Sequence, residues 1–143
     1  MERRVFIRKC GMGCIAAFST GLVLQGCAAT RYVTGNIEGS FLKIPEDVFL
    51  NEDKSYLPHV VVQNDALQYP IAVFRLSSEK YRALLMKCTH QGTELEVFGD
   101  RLQCPAHGSE FTNYGNVQNG PADTALRSFK IMKDIKTLKI DLS

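Results

Sequence analysis

Hydrophobic and polar positions follow one another in short runs along most of this chain, and turn residues separate the runs. Val60-Val61-Val62 and Ile71-Ala72-Val73-Phe74 are β-branched and aromatic, bounded by Pro58, Asn64-Asp65 and Pro70, as buried strands are. Leu95 and Val97 alternate with Glu94 and Glu96, then Gly99-Asp100 leads into Arg101-Leu102-Gln103. That spacing predicts a hairpin. Phe129 and Ile131 flank Lys130, while Leu138, Ile140 and Leu142 alternate with Lys139 and Asp141, so two further half-buried strands are expected. From residue 41 onward no segment shows helical periodicity, although residues 78–85 have room for one turn. Residues 28–40 are polar and glycine-containing with no apolar period, which predicts a tether. The pattern as a whole is that of an all-β fold without internal repeats.

Composition narrows the function classes. The 143 residues amount to one domain, and 45% hydrophobic with 22% charged suits one modest core. The formal charge is +2, but from Cys27 onward thirteen Lys and Arg face fourteen Asp and Glu, so the body is close to neutral. A nucleic-acid partner is not expected, because a phosphate-binding face needs a basic stripe. Of the five cysteines, Cys10, Cys14 and Cys27 precede the strand-patterned region, leaving Cys88 and Cys104 within it.

Those two cysteines each have a histidine close by. Cys88 and His90 stand in Lys87-Cys88-Thr89-His90-Gln91-Gly92, and Cys104 and His107 in Cys104-Pro105-Ala106-His107-Gly108-Ser109. Two thiolates with two imidazoles suit either a tetrahedral zinc, making the protein a structural interaction domain, or a two-iron cluster with cysteines on one iron and histidines on the other. Zinc modules favour C-x-x-C knuckles, which this spacing fits poorly. Residue for residue, the two motifs resemble those of the Rieske iron–sulfur family, and the resemblance runs over about residues 69–142.

The resemblance implies a small antiparallel Rieske-type β-sandwich with a cluster-binding subdomain at about residues 87–122. It implies one [2Fe-2S] cluster per chain, with Cys88 and Cys104 on a buried iron and His90 and His107 on the outer one. Gly108, Ser109, Gly120 and Pro121 would surround it, Ser109 offering its hydroxyl to a cluster sulfide and Gly120-Pro121-Ala122 forming the covering loop. The chain also departs from the quinol-oxidising members of the family. Their tyrosine two positions beyond the serine is Phe111 here, and the two cysteines of their loop-joining disulfide are Thr93 and Ala106. Fewer hydrogen bonds to sulfur leave the reduced state less stabilised, so an intermediate potential is expected.

Replacing two thiolates by imidazoles removes negative charge and raises the reduction potential. Oxidised iron acidifies a ligated imidazole, so reduction should become pH-dependent in the alkaline range. Every iron position would be filled, and a catalytic metal keeps one open. The expected role is therefore one-electron carriage with no independent catalytic site. Of the three histidines only His59 remains, beside a strand, where a structural role is expected. An oxygenase's mononuclear iron needs two histidines and a carboxylate, which this chain cannot supply. The expected partner is a cytochrome or quinol-oxidising subunit, or a periplasmic oxidoreductase served by a detached shuttle.

The beginning of the chain bears on location. A basic stretch over residues 1–9 runs into a small and apolar segment over residues 10–24, the length of a signal-peptide core and short of a membrane span. Arg3-Arg4-Val5-Phe6-Ile7 resembles a twin-arginine export signal, with Glu2 and Arg8 as departures. That route suits a protein exported already folded around a cluster. Leu24-Gln25-Gly26-Cys27 resembles a lipobox, in which Cys27 is acylated and several acyl chains give stable attachment. The other reading keeps residues 10–27 as an uncleaved N-terminal helix in the membrane. Both place the domain on the periplasmic or extracytoplasmic side, as a signal segment at 1–26, a tether at 27–40 and a Rieske domain at 41–143.

Overall fold

In the computed structural model residues 29–143 are described, and the leader with Cys27 lies outside the described residues. The central sheet has the order β1 (Tyr32–Thr34), β4 (His59–Gln63), β5 (Ile71–Arg75), β6 (Tyr81–Leu85) and β11 (Ser128–Phe129). A second sheet runs β12 (Ile131–Asp134), β13 (Thr137–Asp141), β3 (Phe41–Pro45) and β2 (Asn36–Glu38). The third is the small sheet β10 (Val117–Asn119), β9 (Glu110–Thr112), β8 (Arg101–Gln103) and β7 (Glu96–Phe98). Among the described residues the one helical element is a 3-10 turn at Glu46–Phe49.

The central sheet is buried on both faces, which is why its strands read as continuous apolar runs in place of an alternating pattern. Val60, Val62, Ile71, Val73 and Ala83 face the second sheet and pack with Leu42, Ile44, Phe49, Leu138 and Ile140. From the intervening positions, Val61, Ala72, Phe74 and Leu84 face the small sheet and pack with Leu95, Leu102, Phe111, Cys88 and Cys104. One strand set thus supports two cores, and the cysteines belong to the second.

The predicted hairpin over residues 95–103 is β7 and β8, and the strand expected at 138–142 is β13. The single strand expected over 129–131 is divided at Lys130 into β11 on the central sheet and β12 on the second. Three other expectations change. Residues 78–85 hold strand β6 and no helical turn, because Ala83 and Leu84 are buried on opposite faces of the sheet, a period of two. The tether expected over 27–40 contributes β1 and β2 instead, so the ordered body begins well before residue 41. The sheet is also not wholly antiparallel, since β1 pairs parallel to β4.

The tether reading failed because Val33 and Ile37, which are half-buried, were too sparse to signal a strand, yet they pack against the core between the central and second sheets. Arg31 locks the start of this segment by donating to the carbonyls of Val48 (2.7 Å) and Leu50 (3.0 Å) and to Asn51 Oδ1 (3.0 Å). Gly35 is required by close approach: a Cβ there would lie 2.6 Å from Leu42 Cδ1 and 2.9 Å from Val62 Cγ1. Strands β1, β4 and β6 run the same way, and β6 ends just before Cys88. Thr30, 3.5 Å from His59 Nε2, therefore enters at the end of the sheet remote from the Cys88 loop.

His59 opens β4 against Phe74, with Nδ1 buried and without a hydrogen-bond partner among the described residues, and burial holds its pKa below the ordinary imidazole value. The unfolded chain then binds this proton more readily, so the stability is intact above about pH 6.5 and is lost as pH falls below it. In His59→Gln the unfolding midpoint should fall less between about pH 7 and pH 5 than in the wild type; superimposable pH profiles would contradict the burial. Gly35→Ala should destabilise the fold by about 1–3 kcal/mol in urea unfolding through overpacking. An unchanged midpoint would mean that residues 32–38 do not pack on the core.

Candidate metal centre

Two loops of the same construction hold the Cys and His residues. The first follows β6 and leads towards β7, and the second joins β8 to β9. In the first, Cys88 N–H donates to the Thr93 carbonyl (2.8 Å) and the Cys88 carbonyl accepts from Gly92 N–H (2.8 Å). In the second, Cys104 N–H donates to the Ser109 carbonyl (2.8 Å) and the Cys104 carbonyl accepts from Gly108 N–H (3.0 Å). The turn that closes each loop needs a left-handed residue, and Gly92 and Gly108 have φ of +77° and +78°, a conformation that costs other residues of order 1–3 kcal/mol. That is the physical reason for a glycine shortly after each histidine.

The matched loops turn their cysteines inward and their histidines outward. Cys88 and Cys104 are free thiols, each only 1% exposed, within the core that contains Phe111, Leu95 and Met86. His90 and His107 are exposed. Their rings meet edge to face with centroids 4.9 Å apart, so the four residues predicted from spacing do converge. Among the described residues, however, no three His, Cys, Asp or Glu side chains gather around a single point as one metal ion would need. The arrangement is two buried sulfurs beneath two surface imidazoles.

Burial alone would raise the Cys104 thiol pKa, but backbone N–H groups of His107 and Ala106, with the side chains of Cys88 and Thr93, outweigh it and hold the pKa below that of a free thiol. N–H groups aimed at sulfur favour the thiolate, the form that binds metal. Ser109 is fully buried, and its Oγ accepts from Ala122 N–H (2.9 Å). Its own proton remains free to be donated.

The end of β10 and the segment that follows it close the site by bonding to both loops. Thr89 Oγ1 donates to the Thr124 carbonyl (2.6 Å), and Asn119 Nδ2 donates to the Gly108 carbonyl (3.3 Å). Gly120 and Pro121 lie exposed at the rim while Ala122 is buried beneath. Two contributors carried no signal in the sequence. Tyr69 Oη donates to the Gly92 carbonyl (2.8 Å), from a residue that reads only as a strand flank. Thr93 marks the place of an absent disulfide in the sequence, yet in the fold its side chain supports Cys104.

Residues 47–130 match the family model described as the Rieske [2Fe-2S] domain. The chain belongs to the Rieske [2Fe-2S] domain family. The cofactor of this Rieske domain is one [2Fe-2S] cluster, and the donor set fits it: two buried thiols, one with a stabilised thiolate, and two imidazoles at the surface. The fold is similar to the cyanobacterial plasma membrane Rieske protein PetC3 from Synechocystis PCC 6803, at TM-score 0.52 and 23% identity over 59% of this chain and 86% of that one. It is also similar to a chain of the complex of reduced oxygenase and oxidized ferredoxin in carbazole 1,9a-dioxygenase (TM-score 0.55, 20% identity, 73% of this chain and 95% of that one). A third likeness is to the quaternary ammonium Rieske monooxygenase CntA (TM-score 0.57, 16% identity, 73% and 33%). At these identities the likeness is one of fold. No curated protein sequence matches the chain.

Thr93→Val keeps shape but removes the hydroxyl beside Cys104, so the reduction potential should drop by tens of millivolts in protein-film voltammetry, because a thiolate with fewer hydrogen bonds destabilises the reduced state. A potential identical to that of the wild type would show that Thr93 does not act on the sulfur.

Proposed function

We propose that this Rieske protein is a membrane-tethered carrier of single electrons on the extracytoplasmic side. Buried Cys88 and Cys104 would hold one iron of the cluster, and exposed His90 and His107 the other. The observation that carries this reading is the division of the donors, with the thiols sealed in the core and the imidazole edges open to a partner. When bound, the cluster supplies a one-electron acceptor of raised potential, since two neutral imidazoles stand where an all-cysteine site has thiolates.

The chain's own residues do the rest. The paired backbone bonds at each cysteine fix where the sulfurs sit, so little rearrangement accompanies a change of charge. Phe111, fully buried beside the cysteines, and the segment around Ala122 exclude water from that side. His90 and His107 leave one exposed edge for electron exchange. The membrane attachment rests on the basic and apolar leader and on Cys27, either acylated or following an uncleaved anchor.

Ser109 with its cover loop resembles the quinol-oxidising arrangement, whereas Phe111 and the Thr93/Ala106 pair depart from it. A redox complex of intermediate potential, or a periplasmic oxidoreductase fed by this carrier, is the partner that balance supports. His107→Cys restores a thiolate charge and should lower the potential by a hundred millivolts or more while the iron content is retained. An iron-loaded variant with an unchanged potential would remove His107 from the ligand set.

A further inference from the structure

We propose that the groove beside the first ligand loop is the docking site for an acidic segment of the protein with which the centre exchanges electrons. The groove encloses about 500 Å³ and starts at Cys88, Thr89 and His90. It continues past Leu85, Lys87 and Arg127 into a second recess walled by Tyr69, Phe129 and Leu142. Lys87 and Arg127 line both recesses, and among the described residues no carboxylate lines either. Aromatic rings hold the two cations in place: Lys87 Nζ lies 5.4 Å from the centre of the Tyr69 ring, and the Arg127 guanidinium carbon 4.7 Å from that of Phe129. Arg127 also donates to the Leu142 carbonyl (3.3 Å).

Neither cation takes part in an ion pair among the described residues, although six other such contacts form. Glu94, which pairs with Lys87 through the backbone, Asp123, beside Thr124, and Asp141, beside Leu142, adjoin the lining residues, and none of the three lines the groove. Two unpaired positive charges thus stand beside the centre on a body whose acids slightly outnumber its bases. Such a local field selects and steers a negatively charged partner.

The groove's own end is formed by Cys88 and His90, so its occupant lies against the group that exchanges electrons, which a phospholipid does not do. The chain also enters the fold at Thr30, at the end of the central sheet remote from this groove. This inference rests on the electron-carrier reading above.

The test uses the full-length, cluster-loaded chain in detergent and hexacyanoferrate(III) as an anionic probe, which takes one electron from the reduced centre and becomes hexacyanoferrate(II). Between ionic strengths of about 0.01 M and 0.15 M the screening length falls from about 30 Å to about 8 Å. The second-order rate constant should fall on the order of tenfold over that range, as for attraction. In the double variant Lys87→Gln, Arg127→Gln the fall should vanish or reverse, whereas Lys54→Gln should keep it. A wild-type rate that is flat or rises with salt, or a double variant that still falls, overturns the proposal. Protein without iron or an absorbing chromophore before mixing would instead refute the electron-carrier reading. Acylation of Lys87 should be blocked by a hexaglutamate peptide at low salt and be equal in neutral and anionic phospholipid discs; protection by the anionic discs would give the groove to lipid and overturn it too.

Discussion

The backbone closure of two cysteine loops is the constraint on which the rest of this structure depends. In each loop the cysteine N–H and carbonyl are both bonded within a few residues, and a left-handed glycine makes the closure possible. The side chain that follows from this closure points into the core at the cysteine and out to solvent at the histidine. Everything larger serves to bring the two loops together: β6 delivers the first, the β7–β8 hairpin carries the chain back, and β9 receives the second.

The sulfurs need a dry, shaped environment, and the second core provides it. Leu84, Met86, Leu95, Leu102 and Phe111 are almost fully buried around Cys88 and Cys104. That core exists because the central sheet is apolar on both faces, so one sheet serves both a structural layer and the ligand layer. The cost of burying the Cys104 thiolate is offset locally by the N–H groups of His107 and Ala106 and by the side chains of Cys88 and Thr93. The imidazoles of His90 and His107 sit at the surface, outside this dry core.

Much of this was legible in the sequence because the signals are local. Fixed spacing between Cys, His and Gly records the loop closure directly, and β-branched runs record a sheet buried on both faces. What was hidden is long-range. Val33 and Ile37 become strand residues only because Leu42 and Val62 lie against Gly35, and no window of residues 28–40 contains that information. Residues 78–85 were ambiguous because a short apolar stretch supports either period, and the pairing of Ala83 with Val73 decides it. Thr93 and Tyr69 act through contacts 11 and 23 residues away in the chain, so neither had a motif to reveal it.

In the proposed centre two thiolates would hold one iron and two imidazoles the other. Pulsed electron paramagnetic resonance of the anaerobically purified, reduced protein tests it most directly, because nitrogen bound to iron gives a strong hyperfine coupling. Couplings from two distinct imidazole nitrogens, in a protein containing iron and acid-labile sulfide, are the predicted result. A paramagnetic cluster with no coupled nitrogen, or a colourless protein containing one zinc per chain, would contradict the account.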